Sequence, residues 1–271
     1  MAETHYFLGC DPAPAQQEKS DEGAMVIERA RLLTVEWSDN PSDWQRDMVF
    51  ARSVKHVGKA RARTWSGAIH GLHRSYGFTR IALDAGAAGG GPWIKGELSS
   101  THQSIEGLDQ ECTPIVTADD TTVAQGQFIL MMIKRGDALV EMLCPELSGD
   151  DQLNDFMYSL LREDLDHAAL GLMPPLRDLK GELKEWSQAR REAAGAMAQT
   201  VVQLSKFYVM TKDDGTYLTT KRGSRQFGSV GRKDLVSGLT YANFAFHCWL
   251  KSGEGALERA GSKDVPFGGF R

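Results

Sequence analysis

No stretch of this 271-residue chain reaches the roughly 18 consecutive apolar residues that a membrane-spanning helix needs, and the opening MAETHYFLG lacks the basic-then-apolar order of a secretory leader. The expectation is a soluble protein without a secretory signal. Cysteine is scarce: Cys10, Cys112, Cys144 and Cys248 lie far apart and form no CxxC pair. That excludes a disulfide-dense scaffold and a zinc ribbon, and leaves four reduced, mostly buried thiols. No GxxxxGK[ST] occurs, so a phosphate-gripping loop of that type is excluded, and the glycine turn GAAGGGPWIKG does not replace it. There is no internal repeat and no low-complexity block. With 41% hydrophobic residues the chain has ample apolar material to bury, which excludes disorder as the main state. The formal charge is −5, so a polyanion must be met by a local basic patch and not by the overall field.

What is present reads as an α/β chain. Tyr6 to Cys10 (YFLGC) is a short apolar run stopped by Asp11 and Pro12, a buried strand ending in a carboxylate. The polar turn PAPAQQEKSDEG leads into AMVIERARLLTVEW, where Val26, Arg29 and Arg31 suggest a strand pair with one wet face. From Pro41 to Gly77, a Ser42 cap and Trp44, Met48, Ala51, Val54 and Val57 at helical spacing predict a helix. Arg46, Arg52, Lys55, Lys59, Arg61, Arg63, Arg74 and Arg80 make this region basic against Asp43 and Asp47. A solvated helix face and a phosphate-facing surface both fit. Thr79 to Asp84 (TRIALD) is a second strand ending in a carboxylate, followed by AGAAGGGPW, and Thr113 to Thr117 is a third short strand. Asp119 to Leu204 reads as mainly helical, with breaks at Pro145, Gly149 and Pro174-Pro175. Lys206 to Thr220 reads as a hairpin around KDDG, and Lys233 to Leu250 as a helix with Leu235, Leu239, Ala242 and Phe246 on one stripe. The order β-β-β-α-β-α-β, then helices, a hairpin and a last helix, predicts a mixed sheet flanked by helices.

In an open α/β sheet, ligands sit beyond the carboxyl ends of the strands. If the strands ending in Asp11 and Asp84 are parallel neighbours, the two carboxylates lie about 5 Å apart. Such a pair calls for a cation, and Mg²⁺ or Mn²⁺ prefers oxygen ligands. The plainer reading is that each aspartate caps the turn that follows it. Asp234 opens the last helix in RKDLVSGLTYANFAF, where the helix dipole alone would favour an acid. Asp21 in SDEGAMVI is a fourth acid near the same strand end.

Taken in order, LGCDPA, SDEGAMVI, IALDAGAAGGG and KDLVSGLTYA resemble the nuclease domain of phage terminase large subunits. The resemblance runs from Tyr6 to Leu250, and LRDLKGELKEW is similar in placement to that family's late segment. It implies a ribonuclease H-like fold related to Holliday-junction resolvases, in one domain over residues 1–253 with a flexible tail over 254–271. It further implies a metal-dependent endonuclease that cuts concatemeric viral DNA during genome packaging, with little sequence specificity. Asp11, Asp84 and Asp234 would be the catalytic, metal-binding triad, with Asp21 accessory through water. Asp11 would bridge two Mg²⁺ or Mn²⁺ ions, with Asp84 on one and Asp234 on the other. Arg52, Lys55, Lys59, Arg61, Arg63, Lys221, Arg222 and Arg225 would follow the backbone of double-stranded DNA. The implied partners are the terminase ATPase domain, the small terminase subunit and the portal, in the host cytoplasm and away from membranes.

The chain departs from the family pattern at Lys233, where a second acid is common, and residues 119–175 are longer than a minimal domain requires. Without an ATPase motif, an excised domain or a separate nuclease subunit is expected. A non-catalytic ribonuclease H-like module that binds DNA or a portal is the alternative, disfavoured because clustered acids gain nothing near phosphates. A sugar-kinase-like ATPase would need a Gly/Thr-rich loop after Asp11, which PAPAQQEKSDEG is not. His70 and His73 are expected on the surface, Asp164, Asp166 and His167 on a solvated helix face, Asp119-Asp120 and Asp150-Asp151 at caps, and Met131-Met132 in the core. Cys10 reads as strand packing, since no histidine is placed to activate it.

Overall fold

A computed structural model of the chain describes residues 3–12, 23–34, 36–54, 61–86, 90–105, 107–120, 123, 125–145, 150–172, 188–205, 209–211, 217–219 and 234–254. Its strands are β1 (Thr4–Asp11), β2 (Gly23–Leu32), β3 (Trp44–Val54), β4 (Arg80–Asp84), β5 (His102–Ile105), β6 (Leu108–Glu111), β7 (Ile115–Thr117), β8 (Gln127–Ile133), β9 (Leu170–Gly171), β10 (Val209–Thr211) and β11 (Tyr217–Thr219). Its helices are α1 (Arg61–Tyr76), α2 (Gly91–Leu98), α3 (Ala138–Leu143), α4 (Asp150–Asp166), α5 (Gln188–Leu204) and α6 (Asp234–Ser252). Seven strands form one mixed sheet in the order β7-β8-β4-β1-β2-β3-β9. The first three strands form an antiparallel meander, and β4, β8 and β7 extend it in parallel from the β1 edge. The chain is therefore α/β, as expected, and the β10–β11 hairpin lies within the predicted 206–220 segment.

Alternation along the strands divides the core in two. Leu8, Cys10, Met25, Ile27, Ile81 and Leu83 pack under α1 and α2 through Trp65, Ile69, Ile94 and Leu98. Phe7, Ala30, Ala82 and Met131 face the other way, toward α6. Every residue of α6 from Leu235 to Leu250 is buried. That helix is enclosed, lying on β1, β2 and β4 with α3, α4 and α5 packed around it. The single apolar stripe seen in the sequence is the part that meets the sheet; a helix covered on all sides is a core element. Among the described residues, no helix is long and apolar enough to cross a membrane.

Several expectations change. Within the stretch 41–77 predicted as helical, residues 44–54 are instead strand β3, preceded by a single 3-10 turn at Pro41–Asp43; Lys55 to Ala60 lie outside the described residues, and the helix is α1, from Arg61 to Tyr76. Trp44, Arg46 and Met48 alternate inward, and a bulge where Ile27 pairs Phe50 and Glu28 pairs Met48 shifts the next inward residue to Ala51. That extra residue turned a period of two into apparent helical spacing at 44, 48 and 51. The helical stretch 119–204 contains β8, which lies between β4 and β7 and buries the run LMMI (130–133) of its apolar FILMMI. Such runs read alike in a buried strand and a buried helix. His70 is buried, and burial lowers its pKa to about 4; His73 is half-buried, with Nε2 2.6 Å from Gln127 Oε1. Met131 and Met132 are core, as expected, and the described cysteines are free, with only Cys112 outside the interior. Glu254, the first residue of the expected tail, pairs with Arg80; residues 255–271 lie outside the described residues, as do LRDLKGELKEW and the KDDG turn.

Asp164 is no solvated side chain. It belongs to a buried polar group with Glu28, Arg46, Asn243 and His247. Arg46 Nη2 lies 2.5 Å from Asp164 Oδ1, Arg46 Nη1 donates to Asn243 Oδ1 at 2.8 Å, and Glu28 Oε1 is 3.5 Å from Nη1. His247 Nε2 donates to Asp164 Oδ2 at 2.8 Å, and the guanidinium carbon sits 4.5 Å from the Phe246 ring centre. Burial raises the Asp164 carboxyl, but the bonds from His247 and Arg46 prevail and hold it at about 2. For Glu28, burial outweighs the pull of Arg46 and lifts the carboxyl from 4.5 to about 7.

This packing sets the expected effect of three substitutions. A Cβ on Gly9 would lie 1.9 Å from the Gly238 carbonyl oxygen and 2.5 Å from the Ala242 nitrogen, both backbone. Gly9→Ala should therefore destabilise by about 3 kcal/mol or more in urea unfolding. Gly96→Ala, in α2 with nothing within 4 Å, should be neutral or stabilise by up to about 1 kcal/mol. Because the fold holds the Glu28 proton more tightly than the unfolded chain, its contribution to stability is full below pH 4.5 and declines as pH rises to about 7. Urea titrations at about pH 5 and about pH 8 should show Glu28→Gln gaining on the wild type at the higher pH.

Candidate active site

β1 and β4 are parallel neighbours, paired from Phe7↔Arg80 to Cys10↔Leu83. One step past the last pair, Asp11 stands beside Asp84, with backbones about 4.8 Å apart. Phe7 and Gly9 face α6, so Asp11 does too; Ala82 does, so Asp84 does. Both carboxylates thus project from the same end and face of the sheet, and both are half-buried. The Tyr241 phenol on α6 reports them: burial, then the charges of Asp11 and Asp84, push its pKa well above the ordinary value.

The direction of α6 brings in the third acid. Gly238 and Ala242 lie on Gly9, Phe246 packs on Phe7, and Trp249 lies beside His5. The helix runs antiparallel to β1, so its start meets the strand's carboxyl end. Asp234 is one turn, about 6 Å, before Gly238, and Asp11 is about 7 Å beyond Gly9 in the same direction. The backbone of Asp234 therefore reaches the level of the aspartate pair. Its side chain lies outside the described residues, and so does Asp21, although β2 begins at Gly23 opposite the end of β1.

The turn after β4 explains its glycines. Asp84 Oδ1 accepts from the Gly86 N–H at 3.0 Å, so the capping role is real. Gly90 has φ +81° at the start of α2, a left-handed conformation that favours glycine. A Cβ on Gly91 would lie 2.0 Å from the Asp84 carbonyl oxygen, so α2 begins directly against the acid.

Basic residues distribute along the same edge. β3 runs parallel to β1, and Arg52, in register with Met25 next to Cys10, is exposed at that end on the α1–α2 face of the sheet, opposite the face from which Asp11 and Asp84 project. α1 starts beyond the carboxyl end of β3; Arg63 is exposed in its first turn, 3.6 Å from Glu97. Lys134 follows β8 and is exposed one residue past the Asp84↔Ile133 pair, a position sequence reading passed over. Arg46 and Arg80 leave the basic set, being buried in ion pairs, and Arg74 donates to Gln110. Lys55, Lys59, Lys221, Arg222, Arg225 and the Arg61 side chain lie outside the described residues. Cys10 is sealed under α1 and α2, and burial with the Asp11 charge raises its thiol pKa, so it is packing.

No known protein family, curated protein or solved structure matches this chain.

Whether a metal fits is a question of donors. Two carboxylates on adjacent strands, facing one way, offer the hard oxygen ligands that suit Mg²⁺ or Mn²⁺. Among the described residues no group of three His, Cys, Asp or Glu side chains is placed to hold a metal ion, and the third expected ligand, Asp234, is undescribed beyond its backbone. Millimolar Mn²⁺ at 10 to 100 times its Kd should stabilise the wild type by about 1.4–2.7 kcal/mol. Asp84→Asn, which keeps the acceptor for Gly86, should lose that stabilisation in a thermal melt.

Proposed function

We propose that this protein is a metal-dependent endodeoxyribonuclease of ribonuclease H-like type, acting in viral genome packaging as terminase nucleases do. The observation that carries the reading is the parallel pairing of β1 with β4, which sets Asp11 beside Asp84 at the sheet end where α6 begins with Asp234. The resemblance through LGCDPA, IALDAGAAGGG and KDLVSGLTYA picks out the same three acids.

Asp11, Asp84 and Asp234 would hold the ions, with Asp11 central because β1 lies between β4 and β2. Two bound ions supply an activated water and neutralise charge on the leaving 3′ oxygen. The acids themselves fix the geometry, since β1, β4 and α6 are core elements that do not shift independently. Arg52 and Arg63, on the α1–α2 side, and Lys134, past the end of β8, would meet phosphates of a backbone crossing the carboxyl end of the sheet, giving affinity without reading sequence. The terminase ATPase, small subunit and portal would then be the partners, and the host cytoplasm the place of action.

Plasmid digestion by the purified chain with Mn²⁺, with Mg²⁺ and with EDTA tests this. Cutting should require the metal and be abolished in Asp84→Asn, while filter binding of the plasmid in EDTA persists in that variant. Metal-independent cutting, or full cutting by Asp84→Asn, would overturn the assignment.

A further inference from the structure

Trp93 is the most exposed large apolar side chain among the described residues, at 76%. It sits in the first turn of α2, two residues after Gly91, whose backbone rests on the Asp84 carbonyl. Its neighbour Ile94 is buried beneath α2 and anchors that turn to the sheet. The indole is thus held out into solvent from a rigid base beside the candidate active site. Two exposed cations belong to neighbouring elements: Arg63 on α1, 3.6 Å from Glu97 one turn along α2 from Trp93, and Lys134 just past the end of β8, which pairs with β4. An aromatic face with cations on neighbouring elements is what a single-stranded polynucleotide binds, because its bases offer π-faces and its phosphates negative charge at every step. A base inside a duplex is covered by its neighbours and cannot offer that face to a surface ring.

We infer that Trp93 is a stacking platform for an unpaired DNA base at the carboxyl edge of the sheet, with Lys134 and Arg63 taking the adjoining phosphates. This rests on the nuclease reading and deepens it: the substrate presented to Asp11 and Asp84 is DNA with a frayed, gapped or single-stranded segment beside the cut.

Binding in EDTA separates this inference from the nuclease reading, because no cutting is needed. The probes are a labelled 12-residue oligo(dT) and a labelled duplex of equal length, followed by fluorescence anisotropy with the full chain. Trp93→Ala should weaken oligo(dT) binding about 10-fold and change duplex binding less than about 2-fold. Trp93→Phe should restore most of the loss, and Lys134→Ala should lower the salt slope for oligo(dT) by about 0.7. Trp93 is on the surface, so thermal melts of the variants should match the wild type. Equal oligo(dT) binding by Trp93→Ala, equal losses on both probes, or no oligo(dT) binding by the wild type would each overturn the platform. Selective loss with no metal-dependent plasmid cutting would uphold it while removing the nuclease reading.

Discussion

The arrangement depends on one backbone contact, the crossing of α6 over β1 at Gly9 and Gly238. Neither residue carries a side chain, so helix and strand meet closer than any alanine at Gly9 would allow. A helix seated that closely has no freedom to rise or slide. Its antiparallel course then determines which end of the sheet receives Asp234. With β1 held from below by Leu8 and Cys10 in the second core, the strand that carries Asp11 is clamped from both sides.

The buried group around Arg46 provides a second restraint. Asn243 and His247 hold α6, Asp164 holds α4, and Glu28 and Arg46 belong to adjacent strands. One buried guanidinium between two carboxylates adds little net stability compared with apolar packing, but its partners on β2, α4 and α6 must all be in place for it to be paired. Glu28, lifted toward neutrality by burial, limits the charge left inside. The five residues thus specify how α4 and the β2–β3 pair seat on the core helix more than how strongly.

The two ends of the sheet are built differently. At the amino end, Trp37, Trp44 and Trp249 pack edge-on with His5 tilted against Trp249, and Arg80 pairs with Glu254, closing that end with aromatic bulk and an ion pair. At the carboxyl end β1 and β4 finish in Asp11 and Asp84, α2 begins with Gly91, α6 begins with Asp234, and Arg63 is exposed in the first turn of α1. Bulk seals one end, and polar side chains and turns remain at the other.

The α/β class, the strand ends at Asp11 and Asp84, the late hairpin and the acid-opened last helix were legible from the sequence, because each is a local pattern of apolar residues and turn formers. Strands β3 and β8, and the short β5, β6 and β9, were not. In β3 a bulge mimicked helical spacing, and in β8 a short buried run carried no period at all. Nor did local pattern reveal that Arg46 and Asp164 are interior, since charge alone reads as surface until a partner from a distant segment is known. The sequence by itself determined which residues could carry the chemistry: carboxylates after apolar strands and cations without acidic neighbours. Only the tertiary structure decided which of them share an edge, because strand pairing, helix direction and the glycine crossing are long-range facts that no window of sequence contains.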